Sequence, residues 1–254
     1  MAYKRKYRRS YRTRRNVKRR SYTKSRTRKS GIKTLIRREI ARNIENKTKD
    51  YEIPEQNITQ TISNTDVYYL IPSIGQGTTQ STRVGNRIKV KNFTLRLAIN
   101  QLNLGANALP TYIDVYIFKP KFQSAWVGGV SAADMTQFLQ NDSSSEQYNG
   151  QVLDGLRYVN DDMFKLCVHK RIVLFNPLST QSTQGTTATL NPNRNLYFNL
   201  TKYVKKQLLF EDGVGTCTND NLCLAIGSTQ SDGSVIFTTI ARYQGIVQMA
   251  FEDA

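Results

Sequence analysis

The sequence has 254 residues and a formal net charge of +18, from 37 Lys and Arg against 19 Asp and Glu. A single His argues against most acid–base catalysis, and three Cys without a CxxC pair favour neither a disulfide scaffold nor a zinc site. The sequence lacks an apolar run of eighteen residues and an apolar segment near its start. We therefore expect no membrane insertion, no secretion and a reducing compartment.

The net charge is confined to one end of the chain. Residues 1–50 hold 21 of the 37 bases and 3 of the 19 acids, so they account for the whole net charge of +18. The other 204 residues are neutral overall and are numerous enough to form one domain with a sizeable core. The sequence therefore predicts a neutral body with a cationic arm, and such an arm usually serves as an interaction tail.

The arm begins MAYKRKYRRSYRTRRNVKRRSYTKSRTRKS and contains no acid over residues 1–30. It has almost no apolar surface to bury, so we predict a disordered segment over residues 1–33. Arg matches phosphate bidentately and Tyr can stack on unpaired bases, which favours single-stranded nucleic acid over an acidic membrane or a solubility tail. The candidate phosphate-binding residues are Lys4, Arg5, Lys6, Arg8, Arg9, Arg12, Arg14, Arg15, Lys18, Arg19, Arg20, Lys24, Arg26, Arg28 and Lys29, and the candidate stacking residues are Tyr3, Tyr7, Tyr11 and Tyr22.

After the arm the apolar pattern is first helical and then alternating. Leu35, Ile36, Ile40 and Ile44 form one stripe, which predicts an amphipathic helix at 34–47 within a linker over residues 34–50. Residues 51–254 are predicted to form one β-domain. Its apolar alternation predicts strands at 57–63, 66–71, 87–99, 112–119, 164–175, 195–204, 206–210, 221–227, 235–242 and 245–251, and a short helix at 131–140 with Ser131 as its N-cap. These segments, taken together as about eight strands, and two short helices are typical of an all-β sandwich or jelly roll.

The clearest strand, RIKVKNFTLRLAI at 87–99, changes its alternation partway. Ile88 and Val90 share one parity, whereas the apolar residues from Phe93 to Ile99 share the other. A change of parity within one strand predicts a β-bulge, here near Lys91-Asn92.

Two strands of the neutral body are predicted to carry basic side chains on one face. Arg87, Lys89 and Lys91 recur with period two and are candidate nucleic-acid contacts, although ordinary solvent-facing side chains fit the pattern equally well. Lys165, His169 and Arg171 are predicted to share a face of the strand at 164–175.

Catalytic and metal-binding patterns are weak throughout. Cys167 and His169 could pair on one strand face, but nothing supplies further metal ligands at a recognisable spacing. The adjacent acids at 161–162 and 211–212 are typical of solvated loops, and there is no P-loop or GxSxG motif. We predict no catalytic residue, no metal and no cofactor, and we leave open whether Cys217 and Cys223 pair across a hairpin.

The stretch STRVGNRIKVKNFTLRL after an Arg-rich start resembles the capsid proteins of circular Rep-encoding single-stranded DNA viruses, the circovirus-like group. The later stretch LYFNLTKYVKKQLLFEDGVGTCTNDNLCLAIGS and the ending MAFEDA are similar to the C-terminal half of that family. The arm departs from it in mixing Lys and Tyr with Arg instead of carrying long runs of Arg alone.

The resemblance implies an eight-stranded jelly roll that assembles into a small icosahedral shell of about 60 copies. It also implies that the arm binds a circular single-stranded DNA genome and serves as a nuclear localisation signal, with a nuclear import receptor and an unidentified host-cell receptor as further partners. The expected locations are the virion and, during assembly, the host nucleus.

Three alternatives remain at this point. A ribosomal or chromatin protein would normally spread its bases over the folded body as well, whereas here the body is neutral. An enzyme acting on nucleic acid would need a metal or acid–base cluster. A capsid that packages RNA fits the sequence about as well as one that packages DNA.

Overall fold

The computed structural model describes residues 31, 33–35, 46–102, 109–126, 128–142, 144–174, 193–234 and 239–253. Its strands are β1 (Asn46–Ile58), β2 (Tyr68–Tyr69), β3 (Arg87–Gln101), β4 (Thr111–Pro120), β5 (Leu139–Asn141), β6 (Ser144–Glu146), β7 (Phe164–Leu174), β8 (Asn193–Asn199), β9 (Gln207–Leu209), β10 (Cys223–Gln230) and β11 (Ala241–Asp253). They are accompanied by a short helix, α1 (Ala132–Met135), and a 3₁₀ turn at Asn64–Asp66. Within these ranges no helix is long and apolar enough to cross a bilayer.

The eight principal strands form two antiparallel sheets. Sheet A has the order β1-β11-β3-β8, with the short β9 paired to the start of β3, and sheet B has the order β2-β10-β4-β7. The chain passes repeatedly from one sheet to the other, and most neighbours within a sheet are distant in sequence. This is the strand order of a jelly roll, which is built from two Greek keys. The predicted all-β jelly-roll class is therefore confirmed.

The two sheets enclose a single apolar core. Phe93 and Leu95 of β3, Ile113 and Val115 of β4 and Val247 of β11 are fully buried and belong to one cluster of contacting side chains. Inward-facing residues alternate with outward-facing ones along β3 and β11, as expected for a sandwich with solvent on one side.

The predicted bulge in β3 is present. Asn92 lies opposite Ala250 and Val90 lies opposite Phe251, so Lys91 is the extra residue between them. This insertion allows Ile88 and Val90 to face the core despite a parity opposite to that of Phe93.

The outer faces of the two sheets differ in their covering. On the outer face of sheet B, Tyr116 and Phe118 of β4 join a second apolar cluster with Met135, Phe138 and Phe164. Because both of its faces are covered, β4 is buried along almost its whole length. On sheet A, in contrast, the outward side chains of β3, β8 and β11 are largely exposed in the described part of the chain.

The helix within this second cluster begins as predicted. The hydroxyl of Ser131 accepts a hydrogen bond from the backbone N–H of Asp134 at 3.2 Å, and the Asp134 carboxylate accepts one from the backbone N–H of Ser131 at 2.9 Å. The helix ends after a single turn at Met135, and the chain enters β5 at Leu139, inside the segment that we predicted as helical.

Several predicted boundaries are wrong. β1 begins at Asn46, so it includes the last two residues of the helix predicted at 34–47. β1 ends at Ile58 instead of continuing to 63, and β2 is only two residues long. The segments predicted as a strand pair at 235–242 and 245–251 overlap a single strand, β11.

Of the predicted arm and linker, only residues 31, 33–35 and 46–50 are described. Residues 31 and 33–35 are helical, which places a helical turn slightly earlier than the predicted start at 34. The rest of the disordered arm predicted at 1–33, and of the helix predicted at 34–47, lies outside the described residues.

Candidate nucleic-acid interface

All the arm residues predicted to contact nucleic acid lie outside the described part of the chain. Those fifteen bases and four Tyr therefore remain predictions from the sequence. The structure does describe the predicted contacts on the folded body, which are Arg87, Lys89 and Lys91 of β3.

These three bases lie on the solvent side of β3. All three are exposed, while Ile88 and Val90 between them are buried. The geometry predicted for this stripe is therefore confirmed, and its nucleic-acid contacts stay a prediction.

A buried carboxylate neutralises part of the stripe. Glu252 of β11 is 4% exposed, and its side chain forms ion pairs with both Lys89, at 3.5 Å, and Lys91. Removing both lysines would leave this carboxylate desolvated and without its ion pairs, which is costly. Replacement of Lys89 and Lys91 by Ala is therefore expected to destabilise the fold, although both side chains are exposed.

Two further lysines extend the stripe into a basic cleft. Lys202 and Lys206 follow β8 in a turn whose backbone is tied to β3, since Leu200 N–H donates to the Phe93 carbonyl at 2.8 Å and Val90 N–H to the Lys206 carbonyl at 2.9 Å. The resulting depression has a volume of about 710 Å³. We call it the lysine cleft; its lining residues are Lys89, Val90, Lys91, Asn199, Thr201, Lys202 and Lys206.

The charge balance of the lysine cleft is positive. Four lysines line it. Among the described ion pairs, the acid that binds these lysines is Glu252, which pairs with Lys89 and Lys91. The hydroxyl of Thr201 accepts a hydrogen bond from Phe93 N–H at 2.9 Å, which fixes the turn that carries Lys202. Ammonium groups on a fixed frame can bind phosphate as point charges.

Sequence reasoning missed Lys202 and Lys206 because residues 195–204 were predicted to be one continuous strand. β8 ends at Asn199 and a turn follows. The available signal was the stretch TKYVKK, whose polar residues and paired lysines fit a turn better than a strand.

The second predicted basic face is present only in part, because His169 and Arg171 lie on one face of β7, opposite Tyr116 and Asp114, and Lys165 does not. Cys167 is an extra residue in β7, because Phe118 pairs with Leu166 and Ile117 pairs with Val168. This bulge breaks the alternation, so Lys165 lies opposite Lys119, whereas Cys167 packs towards the central core. His169 instead stacks on Tyr116 of the second cluster, with ring centroids 4.4 Å apart, and Cys167 and His169 do not pair.

His169 and Arg171 are engaged by a buried carboxylate. Asp114 of β4 is fully buried, and it accepts two hydrogen bonds from Arg171, from Nε at 2.9 Å and from Nη2 at 2.8 Å. His169 Nε2 lies 2.9 Å from Asp114 Oδ1, and the Tyr148 hydroxyl donates to Oδ2 at 2.9 Å. Burial by itself raises the pKa of Asp114, but the hydrogen bonds from His169 and Arg171, the Arg171 charge and the Tyr148 hydroxyl outweigh it and lower the pKa below its usual range.

A second buried carboxylate supports the loop over this network. Asp154 accepts hydrogen bonds from the backbone N–H groups of Asn149 and Gln151, at 2.8 and 3.0 Å, and from Arg157 at 3.0 Å. Burial outweighs these bonds and raises the pKa of Asp154. Both networks are structural, and neither leaves an Arg or His side chain without an acidic partner and free to bind a phosphate.

A buried arginine lies within the stretch that carries the family resemblance. Arg83 is fully buried and donates to the carbonyls of Ile74, Gly85, Glu211 and Val214 at 2.5–3.2 Å and to the Asn86 side chain at 2.9 Å. It therefore ties the loop before β3 to the loop after β9.

The remaining candidate sites show no catalytic arrangement. Cys167, Cys217 and Cys223 are free thiols, and burial raises the pKa of each. Asp161 pairs with Lys121 at 2.9 Å, and Asp212 accepts a hydrogen bond from Asn86 at 2.6 Å. Within the described ranges, no group of three or more His, Cys, Asp or Glu is arranged to hold a metal.

The comparisons with known proteins return matches only at the level of structure. No protein family matches the sequence, and no characterised protein matches it significantly. A chain of Desmodium yellow mottle tymovirus has 10% identity and a TM-score of 0.34, over 83% of this chain and 88% of that one. Turnip yellow mosaic virus has 14% identity and a TM-score of 0.30, over 83% and 96% of the two chains.

An empty-head structure of turnip yellow mosaic virus also matches, with 11% identity, a TM-score of 0.32 and 84% of each chain covered. These neighbours are all from virus structures, and none points to the circovirus-like group named by the sequence resemblance. At these identities and TM-scores they carry no functional argument, so the fold assignment rests on the strand order and the core.

Proposed function

We propose that this chain is a viral capsid protein that self-assembles into a small icosahedral shell and packages a single-stranded DNA genome through its N-terminal arm. The observation that carries the proposal is the division of charge. A jelly-roll body of zero net charge, built from residues 51–254, follows a segment that holds the whole net charge of +18. Jelly rolls are a common architecture of viral capsid domains, and a basic arm attached to a neutral body can bind a genome without attracting other copies of the body to it.

The amount of charge suits a packaged genome. About 60 copies would present on the order of 1,000 positive charges, which would neutralise roughly a kilobase of single strand. Arm lysines and arginines contact phosphates and not base edges, so the binding is independent of sequence. The four arm Tyr favour an unpaired strand, because aromatic rings stack on exposed bases.

The experiment that tests this function measures size and content together. The full chain is purified and examined by light scattering, negative-stain microscopy and the ratio of absorbance at 260 and 280 nm. We expect megadalton particles with nucleic acid inside, and we expect the extracted nucleic acid to be digested by deoxyribonuclease. A small particle contradicts the capsid function, and digestion by ribonuclease alone supports the RNA-packaging alternative.

A matched pair of arm variants separates charge from sequence. Deletion of residues 1–30 should abolish packaging and leave the β-type circular dichroism spectrum unchanged, because every strand that the structure describes lies beyond that segment. A variant whose first thirty residues are shuffled keeps the same composition and should still package. Loss of the β-type spectrum on deletion would contradict the separation of arm and body.

The arm also serves as a nuclear localisation signal in this proposal, with a nuclear import receptor as the partner. Clusters such as Lys18-Arg19-Arg20 are of the type that import receptors bind. A fluorescent reporter fused to residues 1–30 should enter the nucleus, whereas the same reporter with the fifteen bases replaced by Gln should stay in the cytoplasm. Equal distribution of both reporters argues against this role.

A further inference from the structure

A second depression lies beside the lysine cleft on the outer face of sheet A, whose side chains are largely exposed in the described part of the chain. It has a volume of about 980 Å³, and we call it the tyrosine groove; the lining residues that matter here are Glu52, Arg96, Ala98, Tyr197 and Ile246. Ala98, two residues after Arg96 on the same face of β3, contributes only a methyl group, so the floor of the groove is low at that point.

The strand register brings three of these side chains into one row. Ile246 of β11 lies opposite Arg96 of β3, which in turn lies opposite Tyr197 of β8. Cross-strand neighbours on one face have β-carbons about 5 Å apart, so an aliphatic side chain, a guanidinium and a phenol ring lie side by side. Tyr197 is 58% exposed and Ile246 is 48% exposed, so the fold leaves both largely uncovered.

The two depressions adjoin along β8. Asn199 lines the lysine cleft, and Tyr197, two residues earlier on the same face, lines the tyrosine groove. That separation is about 7 Å along the strand. Of the described residues that line the two depressions, five are bases and Glu52 is the single acid.

We propose that this face of sheet A binds a short stretch of single-stranded nucleic acid, with its phosphates on the lysine cleft and an unpaired base stacked on Tyr197. The inference rests on the proposed function and extends it from the arm to the folded body. A positive groove beside an exposed aromatic ring is the general arrangement for binding single strands. A duplex keeps its bases stacked on one another and cannot offer one to Tyr197.

The occupant follows from charge as well as from shape. An apolar partner protein would cover Tyr197 and Ile246 but would leave four lysine ammonium groups facing it. A single-stranded polyanion with flat apolar bases satisfies both depressions, because its phosphates can meet the lysine cleft while a base meets Tyr197.

The first test compares two exposed tyrosines in the full chain. Tyr197→Ala should weaken binding of an oligothymidylate at least about fivefold, measured in roughly 0.3 M salt to reduce the contribution of the arm. It should leave binding of an abasic oligonucleotide of equal length unchanged. Tyr158→Ala is the matched control, since Tyr158 is 80% exposed and lies on a loop away from sheet A. Equal affinities for both variants and both oligonucleotides overturn the inference.

The second test locates the bound strand directly. Lysine acetylation followed by mass spectrometry should show Lys202 and Lys206 protected by the oligonucleotide, while exposed Lys165 and Lys170 on β7 stay reactive. Ultraviolet crosslinking of a 5-iodouracil oligonucleotide should label Tyr197.

The outcomes separate this inference from the function on which it rests. Binding that crosslinks to arm residues alone, with the cleft lysines unprotected, overturns the inference and leaves the proposed function standing. Protection of the same lysines in shells without nucleic acid assigns the face to contacts between copies and also overturns it. A chain that binds no oligonucleotide at low salt overturns the proposed function and this inference together.

Discussion

The guanidinium of Arg171 occupies the space where residue 155 would carry a β-carbon. A side chain on Gly155 would overlap Nη2 and Cζ of Arg171 and would also reach Asp114 Oδ2. The loop after β6 therefore closes over the buried ion pair only because residue 155 is glycine. The Asp154 carboxylate fixes the backbone of the same loop by accepting hydrogen bonds from the N–H groups of Asn149 and Gln151.

Gly155→Ala should lower the free energy of unfolding by about 3 kcal/mol or more, because the methyl group displaces Arg171 and leaves the Asp114 charge without its partner. Urea unfolding followed by circular dichroism measures the loss. Gly75→Ala is the control, since a β-carbon there meets nothing within 4 Å and its φ is not positive. Equal stability of the two variants would show that the loop can move aside.

The Asp114 network should give the protein a distinct dependence on pH. The pKa of Asp114 is lowered in the fold, so its stabilising contribution is present above the unfolded pKa of about 3.9 and is lost as the pH falls through the lower folded value. Asp114→Asn should therefore be clearly less stable than the wild type at pH 7. The difference should begin to shrink below about pH 4, where the carboxylate of the unfolded wild type takes up protons, and should vanish as the pH falls through the lower folded pKa. Urea titrations across this range test the sign, and a difference that grows towards low pH contradicts it.

Tyr116 and Tyr148 offer a matched pair of hydroxyl deletions. Both are fully buried, but among the described residues the Tyr116 hydroxyl has no hydrogen-bond partner, whereas the Tyr148 hydroxyl bonds to Asp114 and Thr229 at 2.9 Å each. Tyr116→Phe should leave the free energy of unfolding unchanged or raise it by about 1 kcal/mol. Tyr148→Phe should lower it by about 1–3 kcal/mol. Thermal unfolding of the two variants side by side tests this prediction. A Tyr116→Phe variant less stable than the Tyr148→Phe variant would be inconsistent with this network.

The two pairs of lysines in the lysine cleft should differ in how much they contribute to the stability of the fold. Lys89→Ala with Lys91→Ala should lower the free energy of unfolding by about 1–3 kcal/mol, because Glu252 is left buried without its ion pairs. Adding Glu252→Gln should recover much of the loss. Lys202→Ala with Lys206→Ala should leave stability within about 0.5 kcal/mol, since neither side chain forms a described ion pair. Chemical unfolding measures the free energy of unfolding of the three variants, and the variant that lacks Lys89 and Lys91 but keeps Glu252 should be the least stable.

Binding of single-stranded DNA by the full chain should weaken steeply as salt rises. Each neutralised phosphate of a single strand contributes about 0.7 to the slope of log affinity against log salt, so fifteen arm bases should give a large slope. Deletion of residues 1–30 should flatten that slope markedly, whereas shuffling the DNA sequence should change the affinity little. Filter binding across a salt series measures both, and affinity that hardly varies with salt in the full chain contradicts the function assigned to the arm.

The sequence predicted the fold class because β3 and β4 show apolar alternation and β10 begins with the apolar run CLAI. It predicted the bulge at Lys91 because the apolar residues before and after the bulge have opposite parity. The bulge at Cys167 leaves no such record, since β7 has polar and apolar residues on both faces. For the same reason, the pairing of Asp114 with His169 and Arg171, which joins two strands, could not be read from spacing along either one.

β1 was missed over residues 46–56 because an edge strand has few residues to bury. NKTKDYEIPEQ has no regular apolar alternation, and Pro54 would argue against a central strand. In the structure β1 pairs with β11 on one side, and the register shifts between Ile53 and Gln56, so Pro54 lies in the irregular segment where no ladder hydrogen bond is needed. Tertiary pairing, and not local pattern, makes this segment a strand.

The pairing of β1 with β11 has a consequence for how the protein is made. Asn46 lies opposite Glu252, about two hundred residues later, and β11 also separates β1 from β3 in sheet A. During translation, β1 therefore emerges long before its partner exists, and sheet A cannot close until β11 has left the ribosome. The cationic arm precedes β1 and leaves the ribosome before it. On the proposed function, the nuclear import receptor can therefore bind the arm before the body has folded.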